Sequence, residues 1–149
     1  MLKSAIIGLG NAGFLYDHNK TNEILTHYKA YQNLSNIDIE CVCESNDNRY
    51  KYFKSLNDVP IYKDYNEMLK KHKVDILSIA TNDENHITVL KDVIHYDIKY
   101  IFCEKPISHS LESLLEIQTK YANKNIPIYV NYFRKWDSIF IKIGRTINE

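Results

Sequence analysis

The stretch AIIGLGNAG at residues 5–13 is the starting point for predicting the fold. An apolar run leads directly into Gly8, Gly10 and Gly13, whose spacing matches G-x-G-x-x-G. Glycines at this spacing behind a strand permit a tight turn and let a pyrophosphate approach the amide groups at a helix N-terminus. Alone, the motif fits equally well a strand-to-helix turn that merely needs glycine. The residues predicted to form a nucleotide-binding loop are Gly8, Gly10, Asn11, Ala12 and Gly13.

Beyond this loop, short β-rich runs alternate with segments of helical spacing, which is the pattern of an α/β fold. Strands are predicted at residues 4–8, 37–43, 60–62, 74–80, 100–103 and 126–131. Helices are predicted at residues 22–32, 47–56, 65–71, 83–95 and 110–122, with Asp83 as the cap of the fourth. Most strands are apolar along nearly their whole length, as in parallel sheets covered on both faces. We therefore predict a Rossmann-type, doubly wound parallel sheet of about six strands with helices on both faces.

Length and charge restrict the class of protein. The chain has 149 residues, with 19 Lys and Arg against 19 Asp and Glu, so its formal net charge is zero. This balance argues against a nucleic-acid-binding protein, which is usually basic. No apolar run approaches the roughly 18 residues of a membrane span, and no signal-peptide pattern precedes the first strand. We expect a protein that binds neither nucleic acid nor membrane.

The cysteines indicate the redox environment. Cys41, Cys43 and Cys103 lie inside apolar, β-rich segments, which predicts buried free thiols rather than disulfides. A reducing compartment follows, so a cytoplasmic location is expected. The spacing of histidines and cysteines matches no zinc site, so no metal is predicted.

Glu44 stands at the carboxyl end of the second predicted strand, where a carboxylate can accept hydrogen bonds from both hydroxyls of an adenosine ribose. This position favours NAD, although the nearby Arg49 leaves NADP open through its 2′-phosphate. Glu44 follows Gly13 by 31 residues, more than the usual interval of about 20. A polar surface insertion at residues 17–22 accounts for most of the excess. Two alternatives stay open here, a solvated loop carboxylate and the ribose ligand of an S-adenosylmethionine-dependent methyltransferase.

Polar clusters follow two more predicted strands, ATNDENH at residues 80–86 and CEKP at residues 103–106. Ligands of open α/β sheets bind at the carboxyl edge where these clusters lie. Taken alone, Lys105 is more simply a surface lysine paired with Glu104, and His86 a surface group in the first turn of a helix.

The combination of these segments resembles the N-terminal domain of the Gfo/Idh/MocA family, named after glucose-fructose oxidoreductase and inositol dehydrogenase. The resemblance rests on AIIGLGNAG, Glu44, IATNDENH at residues 79–86, CEKPIS at residues 103–108 and YFRKW at residues 132–136. Glu-Lys-Pro is the most specific of these motifs. One departure is Asn82, which stands where the family usually has proline.

The resemblance implies roles for individual residues. In the family, the lysine corresponding to Lys105 lies beside the nicotinamide and contacts the substrate hydroxyl, so Lys105 is the expected catalytic residue. Glu104 is expected to orient that lysine and contact the nicotinamide ribose or amide. The resemblance also implies cofactor contacts at Ala80, Thr81, Asn82, His86, Glu104 and Lys105.

The same resemblance implies an oxidoreductase that transfers a hydride between NAD(P) and a hydroxyl of a sugar, cyclitol or nucleotide-sugar. Residues 1–131 would form the dinucleotide-binding domain, and residues 132–149 would begin a linker or second-domain helix with an apolar face. Family members carry a C-terminal domain that supplies most substrate contacts and commonly the oligomer interface. The resemblance therefore implies that the whole protein is a homo-oligomer and that the 149-residue chain alone is inactive. The alternative is a non-catalytic NAD-binding or sensing module, in which Lys105 is dispensable. The apolar positions of the last helix are Phe133, Trp136, Ile139, Phe140, Ile143 and Ile147.

Overall fold

The computed structural model describes residues 1–20, 22–132, 135 and 137–147. Within them, the strands are β1 Leu2–Ile7, β2 Ile37–Cys43, β3 Ile61–Tyr62, β4 Ile76–Ile79, β5 Tyr100–Cys103 and β6 Ile128–Val130. The α-helices are α1 His27–Gln32, α2 Asp47–Leu56, α3 Tyr65–Lys71, α4 Asp83–Val93, α5 Leu111–Lys124 and α6 Ser138–Ile147. A short π-helical segment, Asn11–Leu15, follows the glycine loop.

The six strands form one parallel sheet in the order β3-β2-β1-β4-β5-β6. The chain moves outward from β1 in one direction, returns, and then moves outward in the other direction. This is the doubly wound Rossmann order, in which ligands bind at the carboxyl edge where the winding reverses. The predicted fold class is therefore confirmed.

The strands bury side chains on both faces of the sheet. Along β1, Ala5 and Ile7 belong to one apolar cluster, whereas Ile6 between them packs with Phe14 and Phe53 in another. This alternation follows from the twofold repeat of a β-strand. All three cysteines are buried and free, as predicted.

The first helix differs from the prediction of residues 22–32. It begins only at His27, after Thr26 caps it by accepting a hydrogen bond from the Lys29 amide. Asp17, predicted to lie in a surface insertion, is instead buried with only 1% of its surface exposed. Its carboxylate accepts hydrogen bonds from the Leu25 amide and from the amide and hydroxyl of Thr26. These bonds hold residues 25 and 26 outside the helix, so both parts of the prediction were wrong.

Smaller corrections concern the ends of elements. β1 ends at Ile7 because Gly8 already adopts a positive φ of 95°. The capping position of α4 is Asn82, and Asp83 is the first residue of that helix, so the predicted cap was wrong. The other strands and helices predicted before residue 132 are present with ends shifted by up to two residues. The last helix, predicted to begin from about residue 132, begins only at Ser138, where Asp137 accepts a hydrogen bond from the Ile139 amide.

The last helix carries exposed apolar side chains at Ile139, Phe140 and Ile143. The predicted apolar positions Phe133 and Trp136 lie outside the described residues. The described helices include none that is long and apolar enough to cross a membrane.

Candidate functional site

The glycine loop connects β1 to the π-helical segment and packs against the loop that follows β4. A Cβ atom on Gly8 would lie 2.5 Å from the carbonyl oxygen of Ala80, and one on Gly13 would lie 2.0 Å from the carbonyl oxygen of Gly8. Both positions therefore require glycine for backbone packing. A Cβ on Gly10 would meet no protein atom within 4 Å. Protein packing does not require glycine at this position, and the space beside it suits a pyrophosphate in close contact with the backbone.

Glu44 lies directly after β2, beside the glycine loop, and is only 3% exposed. One carboxylate oxygen accepts hydrogen bonds from the Leu9 amide at 2.9 Å and from Arg49 Nε at 2.9 Å. The other accepts from the Asn46 amide at 2.7 Å and from Arg49 Nη2 at 3.2 Å. Burial alone raises the pKa of Glu44, but the hydrogen bonds from Arg49 and from the two amides outweigh it and hold the pKa below its usual value. Glu44 is thus an ionised, fully hydrogen-bonded carboxylate and not a solvated loop residue.

Glu44 and Arg49 line a cleft at the carboxyl edge of the sheet, here called the Glu44 cleft, with a volume of about 360 Å³. Gly8 and Gly10 border it on one side, and Tyr65 on another. The predicted residues Ala80, Thr81 and Asn82 also line this cleft.

A second cleft, the Lys105 cleft, has a volume of about 380 Å³ and shares Gly10, Arg49 and residues 80–82 with the first. Asn11, Ala12 and Lys105 form its other side. The two clefts therefore continue into each other across the glycine loop. The remaining predicted residues that line the Lys105 cleft are His86 and Glu104.

Lys105 and Glu104 follow β5, and the peptide bond between Lys105 and Pro106 is cis. The Glu104 carboxylate accepts hydrogen bonds from His27 Nε2 at 3.0 Å and from Asn131 Nδ2 at 2.6 Å, both on the same oxygen, Oε1. Burial alone raises the pKa of Glu104, yet these two bonds and the neighbouring Lys105 amide hold it below its usual value. Glu104 is therefore charged next to the side chain expected to be catalytic.

His27 is a site residue that sequence reasoning missed. Its ring is buried within the fold, and besides Glu104 it contacts the Ser78 hydroxyl through Nδ1 at 3.1 Å. Ser78 in turn lies 2.7 Å from the Tyr31 hydroxyl. The residue sits in an ordinary helical pattern, so nothing in its local sequence could have indicated these contacts with β4 and the end of β5.

His86 is buried and joins the two polar loops. Its Nδ1 lies 2.7 Å from the Pro106 carbonyl oxygen and its Nε2 lies 3.1 Å from the Thr81 carbonyl oxygen. Its ring nitrogens thus contact the backbone of the loops after β4 and β5. The predicted contact between His86 and a cofactor remains a prediction.

On its far side, the Lys105 cleft meets a more apolar cavity of about 710 Å³. Asn11, Ala12, Glu104 and Lys105 line both spaces. Lys105 therefore stands at the junction of a cleft that suits a dinucleotide and a separate cavity. The apolar side chains of this cavity include Tyr16, Ile24, Leu25, Ala30 and Phe102.

Comparisons with known proteins agree with this arrangement. Residues 2–132 match the family described as "Oxidoreductase family, NAD-binding Rossmann fold". The chain is 27% identical over 146 residues to the uncharacterized oxidoreductase YrbE of Bacillus subtilis, covering 98% of this chain and 39% of that protein.

Two solved structures share the fold. Myo-inositol 2-dehydrogenase from Lactobacillus plantarum has a TM-score of 0.77 at 17% identity, covering 99% of this chain and 41% of that one. The WlbA dehydrogenase from Chromobacterium violaceum, solved with NADH and UDP-GlcNAcA, has a TM-score of 0.71 at 18% identity, covering 87% of this chain and 34% of that one. The chain thus spans about two fifths of the length of its relatives.

The family match extends over the glycine loop, Glu44, both polar loops and every strand of the sheet. It does not support the methyltransferase alternative. The chain belongs to the Gfo/Idh/MocA oxidoreductase family and forms its NAD-binding Rossmann domain.

Proposed function

We propose that this chain binds NAD across the two joined clefts and presents its nicotinamide end to a hydroxyl-bearing substrate beside Lys105. The supporting observation is the continuity of the clefts, which share Gly10 and the loop after β4. Strands β2 and β5 are separated by β1 and β4. At roughly 4.8 Å per strand spacing, their ends lie about 14 Å apart. A ligand that contacts both Glu44 and Glu104 must be extended, as a dinucleotide is.

The adenosine end of the cofactor is assigned to the Glu44 cleft. Glu44 makes four hydrogen bonds with residues that the structure describes, and two of them come from Arg49, whose side chain is 39% exposed. Ribose hydroxyls can replace those two bonds if Arg49 turns outward, whereas the bonds from the Leu9 and Asn46 amides stay in place. A 2′-phosphate would instead bring negative charge beside the buried carboxylate. We therefore propose NAD as the preferred cofactor.

The reactive end is assigned to Lys105. When bound, NAD supplies the hydride acceptor for oxidation of an alcohol. The substrate hydroxyl would pass its proton to the Lys105 amine as the hydride leaves the carbon for NAD, so the oxygen carries alkoxide character before the carbonyl forms. The Lys105 ammonium, positioned beside charged Glu104, would stabilise that developing negative charge by a hydrogen bond to the oxygen. Glu104, Asn11 and Ala12, which line the same cleft, would contact the nicotinamide and the substrate around Lys105.

A sugar, cyclitol or nucleotide-sugar is the proposed substrate class for the whole protein. The apolar cavity next to Lys105 offers ring-sized space, and its aromatic and aliphatic walls suit the C–H faces of such a ring. One of the two structural neighbours is named a myo-inositol 2-dehydrogenase, and the other was solved with UDP-GlcNAcA. Because this chain spans only about two fifths of its relatives, further substrate contacts and an oligomer interface are assigned to the rest of the protein.

Calorimetric titration of the 149-residue chain with NAD, NADP and S-adenosylmethionine tests the cofactor assignment. We expect binding of NAD, weaker binding of NADP and none of S-adenosylmethionine. Equal or tighter binding of NADP would contradict the role given to Glu44. Absence of binding to all three would contradict the cofactor assignment itself.

Substitution of Lys105 by Ala in the longer protein tests the catalytic assignment, with a panel of sugars and cyclitols as substrates. We expect NAD affinity to stay within about threefold of wild type and turnover to fall by at least about a hundredfold. Lys120→Ala is the matched control, because Lys120 lies on α5 and pairs with Glu116 on the same helix. Retained turnover in Lys105→Ala would favour the non-catalytic binding module.

A further inference from the structure

His27 has contacts that the proposed function does not use. Its ring is 6% exposed, and it packs edge-on against Phe102 with ring centroids 5.2 Å apart. Both of its nitrogens have polar partners, Glu104 on one side and the Ser78 hydroxyl on the other. A histidine with both nitrogens engaged has a fixed ring orientation.

These contacts form a hydrogen-bond chain with one consistent direction. A carboxylate only accepts, so His27 Nε2 donates its proton to Glu104 Oε1. In the neutral ring, Nδ1 then accepts from the Ser78 hydroxyl, and Ser78 Oγ accepts from the Tyr31 hydroxyl. Ser78 is fully buried and Tyr31 nearly so, so the chain ends inside the protein. It therefore holds the Glu104 carboxylate from its buried side.

The hydrogen bonds from His27 and Asn131 distinguish the two carboxylate oxygens of Glu104. His27 and Asn131 both donate to Oε1, which uses the two acceptor positions of that oxygen. Among the residues that the structure describes, the Lys105 amide is the one further donor to this carboxylate, so Oε2 keeps an acceptor position for another donor. Glu104 borders both the Lys105 cleft and the apolar cavity. Donors at the nicotinamide end of NAD, its amide group and its ribose hydroxyls, are of the kind that a carboxylate oxygen accepts.

Resting on the proposed NAD binding, we propose that His27 is a positioning residue that holds Glu104 with Oε2 directed to the nicotinamide end of the cofactor. His27 itself does not touch the cofactor in this arrangement. Removing the His27 side chain frees the Glu104 carboxylate to rotate. We therefore expect binding of the nicotinamide riboside to weaken and binding of the adenosine end at Glu44 to stay the same.

Comparing two ligands distinguishes an effect at the nicotinamide end from an effect at the adenosine end. NAD carries the nicotinamide and ADP-ribose lacks it, while both contain the adenosine diphosphate part. Both are titrated calorimetrically into the 149-residue wild-type chain, His27→Phe and His27→Gln. Phenylalanine keeps a ring against Phe102 but donates no hydrogen bond, whereas glutamine keeps a donor at a similar reach. We expect His27→Phe to weaken NAD binding roughly tenfold, as for a lost hydrogen bond to a charged group. ADP-ribose binding should be unchanged, and His27→Gln should recover most of the NAD affinity.

His72→Phe is the matched control. His72 also pairs with a carboxylate, Glu40, at 3.0 Å and with the Tyr62 hydroxyl at 2.8 Å, but none of these residues lines the clefts described above. The His72→Phe variant should leave the ratio of NAD affinity to ADP-ribose affinity unchanged. Should His27→Phe not fold, Ser78→Ala removes only the hydroxyl that orients the ring and should give a smaller loss of the same selectivity.

A double-mutant cycle with Glu104→Ala tests whether His27 acts through Glu104. Alanine removes the acceptor that His27 holds, so we expect His27→Phe to have no further effect on NAD affinity in the Glu104→Ala background. Equal weakening of NAD and ADP-ribose, no weakening of either, or full additivity with Glu104→Ala would overturn the inference and leave the proposed function intact. A wild-type chain that binds neither ligand would instead remove the proposed function, and this inference with it.

Discussion

Two glycines of the same loop are expected to respond in opposite ways to the same substitution. Gly13→Ala places a Cβ atom 2.0 Å from the Gly8 carbonyl oxygen, whereas real Cβ atoms essentially never approach closer than 3.0 Å. The neighbour is backbone and cannot rotate away, so the loop must move by about 1 Å. Gly10→Ala places its Cβ where no protein atom lies within 4 Å.

The expected energies follow from this difference. Overpacking a rigid site costs typically about 1–3 kcal/mol, and the backbone clash at Gly13 places the cost near 3 kcal/mol. For a domain of about this size, that loss lowers Tm by roughly 6–12 °C. Gly10→Ala should change the unfolding free energy by less than about 0.5 kcal/mol. Its methyl group should nevertheless weaken NAD binding at least about tenfold, because it fills the space proposed for the pyrophosphate.

Urea unfolding followed by circular dichroism gives the stability of both variants, and calorimetry gives their affinity for NAD. Wild-type stability in Gly13→Ala would show that the close approach to Gly8 is absent in solution. Wild-type affinity in Gly10→Ala would show that the pyrophosphate does not pass beside this residue. Loss of stability in both variants alike would refute the distinction drawn between them.

Three further outcomes are expected. Asp17→Asn should destabilise the fold by about 2–3 kcal/mol in urea unfolding, because the amide nitrogen faces donors that the buried carboxylate now satisfies; wild-type stability would contradict this role. The lowered pKa values of Glu44 and Glu104 predict stability that is present above their ordinary pKa of 4.5 and lost as pH falls through their lower native values; Glu44→Gln should make the acid limb of unfolding shallower, and an unchanged limb would count against it. Burial raises the pKa of each cysteine thiol to about 12, so a thiol reagent at pH 8 should react only on unfolding, and prompt reaction of the native chain would be inconsistent with Cys41, Cys43 and Cys103 as placed here.

Local sequence patterns predicted much of the fold. The apolar run before Gly8 and the continuous apolar strands are short-range signals, and they led to the correct sheet. Glu44 could be located because it directly follows a strand whose end was clear. These features depend on neighbouring residues, so a single sequence contains them.

The missed features depend on contacts between distant segments. Asp17 stops α1 from starting earlier by binding amides eight and nine residues away. His27 meets Glu104, 77 residues later, only because the strand order brings α1 near the end of β5. Asn131 reaches the same carboxylate from the end of β6. Periodicity and capping rules carry no information about such pairs.

The strand order also has a consequence for protein engineering. Glu44 and Arg49 follow β2, whereas Glu104 and Lys105 follow β5, with two strands between them. Among the residues with a defined placement, no hydrogen bond links Glu44 or Arg49 to Glu104 or Lys105. A designer could therefore retune which dinucleotide is accepted by exchanging residue 44, which lines the Glu44 cleft and not the Lys105 cleft, and leave Glu104 and Lys105 in place. Arg49 borders both clefts, so an exchange at residue 49 would be felt at both ends of the carboxyl edge.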